Sequence, residues 1–311
     1  MSPVEGPQPL VVAVVGATAV GKSGLAMELA ERIHGEIVNA DSMQLYRGMD
    51  IGTAKASPTD RKRVRHHLLD VLAVTEVASV AKFQTAAREA IADIQGRGLA
   101  AIVVGGSGLY VRAVLDDLRF PGTNAELRAE LEVELLAVGP AALHARLAER
   151  DPAAAAAILP TNGRRIVRAL EVIELTGGPF TATLPGPDPA LPAIRIGLEV
   201  PRALLAERIG ARVDAMWQAG LLEEVEELLA VGLGQSRTAA RALGYQQAID
   251  QLSGRLSESG AKAATVQATL KFARRQVTWF RRDPLVHWLP FDLPDLLDAS
   301  VALLPTPRLG E

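Results

Sequence analysis

Eight residues near the amino terminus carry the clearest chemistry. Gly16-Ala17-Thr18-Ala19-Val20-Gly21-Lys22-Ser23 has the spacing G-x-x-x-x-G-K-[ST], in which backbone N–H groups turn inward as a nest for phosphate oxygens. Lys22 adds a full positive charge, the start of a following helix adds a partial one, and Ser23 is placed to hold a magnesium ion. The apolar run Leu10–Val15 before this loop reads as a buried strand. Leu25, Leu29 and Ile33 after it recur as on one helix face. Strand, loop and helix in that order argue against a plain glycine-rich turn. The chain is expected to bind a phosphorylated ligand.

Asp41 follows the next apolar run, Glu36–Asn39, and active-site groups of doubly wound sheets sit at the carboxyl ends of strands. Such an aspartate ligates magnesium, acts as a general base, or simply caps a turn; spacing alone leaves all three open. The run Ala100–Val104 ends in Gly105-Gly106-Ser107-Gly108-Leu109-Tyr110, where a nucleotide hydrolase often has an acid. These glycines suggest close backbone approach to a ligand, with a tight turn as the alternative. Asp70 keeps hydrolysis open. Arg208 and Arg212, one turn apart, either reach a departing phosphate or pair with Glu207 or Glu223. His66-His67 lacks a third ligand at metal spacing and reads as structural.

Basic residues gather in three places: Arg164, Arg165 and Arg168; Arg237 and Arg241 before Gly244-Tyr245-Gln246; and Lys271, Arg274, Arg275, Arg281 and Arg282, with Trp279 and Phe280 interleaved. Arginines with aromatics hold phosphates and stack unpaired bases. Any one cluster could be a solvated helix face. Three of them in a chain of net charge −3 favour RNA.

These residues need a scaffold. Runs at Leu10–Val15, Glu36–Asn39, His67–Leu72, Ala100–Val104 and Ile194–Val200 read as buried strands, separated by helical segments such as Val80–Ile94. This predicts an α/β fold, a P-loop-containing parallel sheet with helices on both faces. From about Asp117 to Pro192 the pattern turns helical (Glu126–Leu136, Ala141–Glu149, Arg164–Leu175), with a proline-rich linker from Pro179 to Pro192. We read residues 1–117 and 193–311 as the core and 118–192 as a mostly helical insertion domain. Helices over Ala203–Val231 and Ala261–Arg281 follow, then a poorly structured tail from Pro290. The chain of 311 residues has no cysteine, which excludes disulfides and cysteine-ligated zinc. Met1–Glu5 does not open a signal peptide, and no apolar run approaches a membrane span, so a cytoplasmic protein is expected.

With these residues in hand, the chain resembles the bacterial tRNA dimethylallyltransferase (tRNA isopentenyltransferase) family from Leu10 to about Arg282. The most specific marker is the stretch from Asn39-Ala40-Asp41-Ser42-Met43-Gln44-Leu45-Tyr46 to Lys55. Gly105–Tyr110, Arg168–Val172, Gly244–Gln246 and Arg274–Trp279 also match. The resemblance implies transfer of a dimethylallyl group from its diphosphate to N6 of the adenosine just 3′ of the anticodon, in tRNAs reading codons that start with U. By the same resemblance the P-loop holds the diphosphate rather than ATP, Asp41 is the base at N6, and Ser42, Met43 and Gln44 lie beside the target base. Thr18 and Arg212 would contact the diphosphate and Ser23 its Mg2+. Ser107, Arg128, Arg164, Arg165, Arg168, Arg241, Gly244, Tyr245, Gln246, Lys271, Arg274, Arg275, Gln276 and Trp279 would meet the tRNA anticodon stem-loop.

The sequence departs from the family pattern at Ala17 (usually proline), Ser107 (usually threonine) and Arg164 (commonly glutamine). The zinc finger of eukaryotic relatives is not expected without cysteine. A monomer is expected. Two rival readings use the same residues: a P-loop kinase of nucleoside or shikimate type, with Asp41 activating a hydroxyl, and a nucleotide-regulated RNA-binding protein without transferase activity.

Overall fold

The computed structural model describes residues 10–180, 188–236 and 238–305. Met1–Glu5, Arg237, residues 181–187 of the expected linker and residues 306–311 of the tail lie outside them. The described chain divides into two compact units, Met1–Asp117 with Pro189–Glu311, and Leu118–Asp188.

The first unit begins with β1 (Val11–Gly16), α1 (Lys22–Arg32), β2 (Gly35–Asn39), α2 (Pro58–Arg63), β3 (His66–His67), α3 (Val80–Gly96), β4 (Ala100–Gly105) and α4 (Gly108–Leu115). The second unit comprises α5 (Ala125–Arg150), α6 (Pro152–Ala157) and α7 (Gly163–Thr176). The chain then returns to the first through β5 (Ile194–Glu199), α8 (Arg202–Gln218), α9 (Leu221–Ala230), α10 (Tyr245–Leu252), α11 (Glu258–Phe280), β6 (Val286–Pro290) and α12 (Leu296–Ala302).

The six described strands are parallel, in the order β3-β2-β4-β1-β5-β6. The near-continuous apolar runs follow from this, because both faces are covered. Val11, Ala13 and Val15 pack with Phe83, Ile91 and Tyr110 of α3 and α4, whereas Val12 and Val14 pack with Leu25, Leu29 and Ile209 of α1 and α8. Each such buried valine, leucine or isoleucine contributes about 1.5–3 kcal/mol. Where the chain leaves and re-enters the first unit, Asp116 bridges to Pro189, and buried Arg195 grips Asp116 and Asp283. Pro189–Pro192 therefore belongs to the core, and the insertion ends at 188, not 192.

Three further expectations are corrected. The single helix over Ala203–Val231 is two, because Gly220 turns at φ +95° between α8 and α9. Of the expected strand His67–Leu72 only His67 enters the sheet, as the second residue of β3. The tail from Pro290 is ordered through α12, whose Leu296, Leu297 and Val301 pack on the α1 side of the sheet.

The second unit has its own core of Leu131, Leu143, Leu147, Ile166 and Leu170. Its long helix is broken at Gly139 (φ +79°), ahead of Pro140.

Candidate active site

β4 lies between β1, which carries the P-loop, and β2, which ends at Asn39. Asp41 thus stands across a crevice from the loop, above a strand ending in glycines. Gly16 (φ +139°) leaves β1 with no room for a side chain beside the Leu198 carbonyl, and Gly21 (φ +104°) caps α1. Thr18, Ala19, Gly21, Lys22 and Ser23 border a cleft of about 530 Å³, while Ala17 and Val20 are buried beneath it. Lys22 Nζ donates to the Ala17 carbonyl at 2.5 Å. Burial pushes the Lys22 ammonium down to about 8, against the Asp41 charge, which raises it.

Asp41 is positioned by its neighbours. Its N–H donates to Asn39 Oδ1 at 2.9 Å, and Asn39 Nδ2 donates to the carbonyls of Asp41 and Leu68, both at 3.0 Å. Asp41 Oδ1 accepts from the Met43 N–H at 2.9 Å, so the turn role is real. Oδ2 has no hydrogen-bond partner among the described residues. Gln44 is held by the Thr53 carbonyl at 3.1 Å.

From α8, Arg212 Nη1 donates to Thr18 Oγ1 at 3.1 Å, and Arg208 Nε donates to the Ala19 carbonyl at 2.7 Å. Arg208 also lies over the Phe291 ring, 5.0 Å from its centroid. Neither arginine has a carboxylate in salt-bridge range among the described residues, so the pairing with Glu207 or Glu223 does not form. Burial lowers the Arg212 pKa and Asp41 opposes this.

A second cavity of about 350 Å³ adjoins the first. It is bordered by Ser42, Met43, Ser107, Met216, Arg241 and Arg275. Thr18, Asp41, Thr53, Arg212 and Phe272 border both.

Several predicted contacts turn inward. Gly105, Gly106 and Gly108 do admit close backbone approach, but to the protein itself: Ala40, Gln276 and the Trp279 indole occupy the space of a Cβ. Gln276, expected at RNA, is 5 % exposed and hydrogen-bonded to Thr18 and Gly106. Tyr245 is fully buried, its hydroxyl donating to Glu224 at 2.6 Å, and Gly244 is buried beside it. Gln246 donates to Asp250 at 3.3 Å. Half-buried Trp279 packs on Gly108 rather than standing out as a stacking platform.

Lys271, Arg274 and Arg275 do form an exposed basic face on α11, and Arg241 is exposed. In the second unit Arg164 and Arg165 are exposed, whereas Arg128 and Arg168 both pair with the buried Glu171. Asp70 is held by Lys55 at 2.7 Å and Arg61 at 2.6 Å, so it is not an acid for hydrolysis. His67 is paired with Glu36. Sequence reasoning missed Glu224, whose carboxylate accepts the N–H groups of Asp50 (3.1 Å) and Ile51 (2.7 Å), and the bordering role of Phe272. A glutamate in the acidic run Glu223–Glu227 carries no signal of such a contact.

A family model described as IPP transferase matches residues 44–283. The chain belongs to that family. It is 61 % identical over 299 residues to a tRNA dimethylallyltransferase of Thermobifida fusca, covering 94 % of each chain. A second, of Kineococcus radiotolerans, is 59 % identical over 304 residues (94 % of this chain, 96 % of the relative). Among solved structures it resembles the tRNA isopentenylpyrophosphate transferase of Bacillus halodurans, with TM-score 0.68, 39 % identity and 94 % of each chain covered. It also resembles a eukaryotic dimethylallyltransferase captured acting on tRNA, with TM-score 0.78, 25 % identity, and coverage of 94 % of this chain and 77 % of that one. Membership of the IPP transferase family speaks against the kinase. No helix among the described residues is long and apolar enough to cross a membrane.

Proposed function

We propose that the protein transfers a dimethylallyl group from dimethylallyl diphosphate to N6 of the adenosine immediately 3′ of the anticodon, in cytoplasmic tRNAs reading codons that start with U. One observation carries this reading: Thr18, Asp41 and Arg212 border both cavities, so one group can act on ligands entering from each side. The P-loop cavity takes the diphosphate. The second cavity, rimmed by Ser107, Arg241 and Arg275, takes the adenine, which leaves its stack to reach Asp41.

In the transfer, the C1–O bond of the allyl diphosphate breaks and its electron pair stays on the diphosphate oxygen. The N6–C1 bond forms, and the N6 proton passes to the free Oδ2 of Asp41. Adenine N6 is a weak nucleophile, its lone pair delocalised into the ring, so a base at this position matters. Thr18 Oγ1 already accepts from Arg212, which leaves its own proton for the departing oxygen. Lys22 and Arg208 neutralise the remaining charge.

Magnesium fits this site. Exposed Ser23 lies in the first turn of α1 and borders the cleft, and no cluster of three metal-binding His, Asp or Glu side chains exists among the described residues. A single hydroxyl plus phosphate oxygens and waters suits a hard ion that dehydrates reluctantly. When bound, it supplies further neutralisation of the leaving diphosphate.

The test is incubation with magnesium, labelled dimethylallyl diphosphate and unmodified tRNA. Label on the adenosine beside the anticodon, lost with Asp41→Asn, supports the proposal; no label in the wild-type reaction overturns it.

A further inference from the structure

Gln276 sits on the inward side of α11, whose last turns expose Lys271, Arg274 and Arg275 on the other side. Its Oε1 accepts from the Thr18 N–H at 2.9 Å and its Nε2 donates to the Gly106 carbonyl at 2.9 Å. Opposite partners at its two ends fix which way the amide faces. One side chain thus ties the P-loop to the end of β4, through contacts 258 and 170 residues apart in sequence. Gly106 is glycine where a Cβ would run into this amide.

The bond to Thr18 has a chemical consequence. In a phosphate nest the backbone N–H groups point at the ligand. Here the Thr18 N–H is already taken by the Gln276 amide, which itself borders the P-loop cleft, so it is not free to serve the nest, while the Thr18 hydroxyl keeps its own proton. The hydroxyl oxygen is pinned by Arg212 at 3.1 Å. Main chain and side chain of Thr18 are therefore held by two different helices, α11 and α8.

We propose that Gln276 is a positioning residue for the reaction: it turns the Thr18 peptide so that the hydroxyl, rather than the N–H, meets the departing oxygen. The proposal rests on the transferase reading above. Removing the amide frees the Thr18 N–H to join the phosphate nest, so ground-state binding of diphosphate is retained while the hydroxyl loses its aim. The loss then falls on kcat and not on KM. A purely structural brace would instead cost rate whatever residue occupies position 18.

Gln276→Met keeps the length and removes both hydrogen bonds. Gly106→Ala displaces the same amide from its other partner and serves where Gln276→Met does not fold, as judged by thermal melting. Each is measured for kcat and KM toward dimethylallyl diphosphate with tRNA, and for binding of inorganic diphosphate with magnesium, in the wild-type and Thr18→Val backgrounds. We expect kcat to fall about 10²-fold with KM within about 2-fold, since small misplacements of a reacting group cost that much. In the Thr18→Val background the further loss should be below about 3-fold, because residues acting as a unit are non-additive. An undiminished loss in the Thr18→Val background, a rise in KM with kcat unchanged, or an unchanged kcat in a folded variant overturns the proposal. Wild-type protein that labels no tRNA fails the transferase reading itself, and with it this proposal; wild-type labelling with additive losses fails this proposal alone.

Discussion

The Thr18 hydroxyl oxygen accepts a hydrogen bond from Arg212 Nη1 at 3.1 Å, joining the P-loop to a helix 194 residues further along the chain. The pair is set by the protein's own fold, so in the proposed reaction its donors would be preorganised for the leaving diphosphate and need no rearrangement at the moment of bond breaking.

Arg212→Ala should therefore lower the single-turnover transfer rate by about 10²–10³-fold, the usual cost of removing one such donor. Arg212→Lys should recover only part of it, because an ammonium lacks the planar fork that serves a threonine oxygen and a phosphate together. Rapid-quench measurement of labelled tRNA decides this; equal rates for Arg212→Ala and wild type would remove the arginine from the transition state.

Asp41→Asn preserves the hydrogen bond from the Met43 N–H to Oδ1, and so the turn, while removing the proton acceptor. The rate should fall by about 10²–10⁴-fold, the contribution of a positioned general base. Filter binding should show tRNA affinity unchanged. A variant that transfers at the wild-type rate would leave Asp41 a turn aspartate only.

Much of this site was legible before the structure. The P-loop, the β2 end and the alternation of apolar runs with helices are local signals, written within a few residues of each other. What stayed hidden was set by distance in sequence. Gln276 was expected at the tRNA with the rest of the basic helix, and only the packing of α11 on the sheet turns it onto Thr18. Tyr245 looked like an aromatic for stacking until Glu224 buried its hydroxyl. Val286–Pro290 is short and ends in the proline where the tail was expected to begin, so the edge strand went unread.

Lys22 gives the site a pH dependence. Burial holds its ammonium down to about 8, so the free protein loses this cation as pH rises through that value. Diphosphate affinity should weaken above about 8, and binding there should take up a proton, because an anion favours the charged form. Asp41 raises this pKa, so Asp41→Asn should move the midpoint to lower pH. Titration calorimetry in buffers of different ionisation enthalpy measures both effects. A midpoint unmoved by Asp41→Asn would mean the two charges are not coupled.

In the second unit the arginines divide. Arg128 and Arg168 share the buried Glu171, while Arg164 is exposed at the start of α7. Arg164→Ala should weaken anticodon stem-loop binding and flatten its salt dependence by about one counterion. Glu171→Ala should instead unfold part of the unit, since it strands two arginines together. Binding measured across a salt series, with circular dichroism on each variant, separates the two effects.

Tyr245 and Glu224 make a clamp on the loop that carries Gln44's partners. The Glu224 carboxylate accepts the Tyr245 hydroxyl at 2.6 Å and the N–H groups of Asp50 and Ile51, and Gly52 lacks a Cβ where the Tyr245 ring lies. Burial and the neighbouring carboxylate hold the tyrosine hydroxyl far above its ordinary pKa, so it stays a donor at every working pH. Tyr245→Phe removes one charge-assisted bond and should cost about 1.5–3 kcal/mol of stability. Glu224→Gln replaces the acceptor-only carboxylate by an amide and should cost at least as much, with the double variant no worse than the sum. Denaturant melts give the stability change and stem-loop binding gives the other half. A Tyr245→Phe protein of unchanged stability but weakened RNA affinity would put the tyrosine back at the RNA surface.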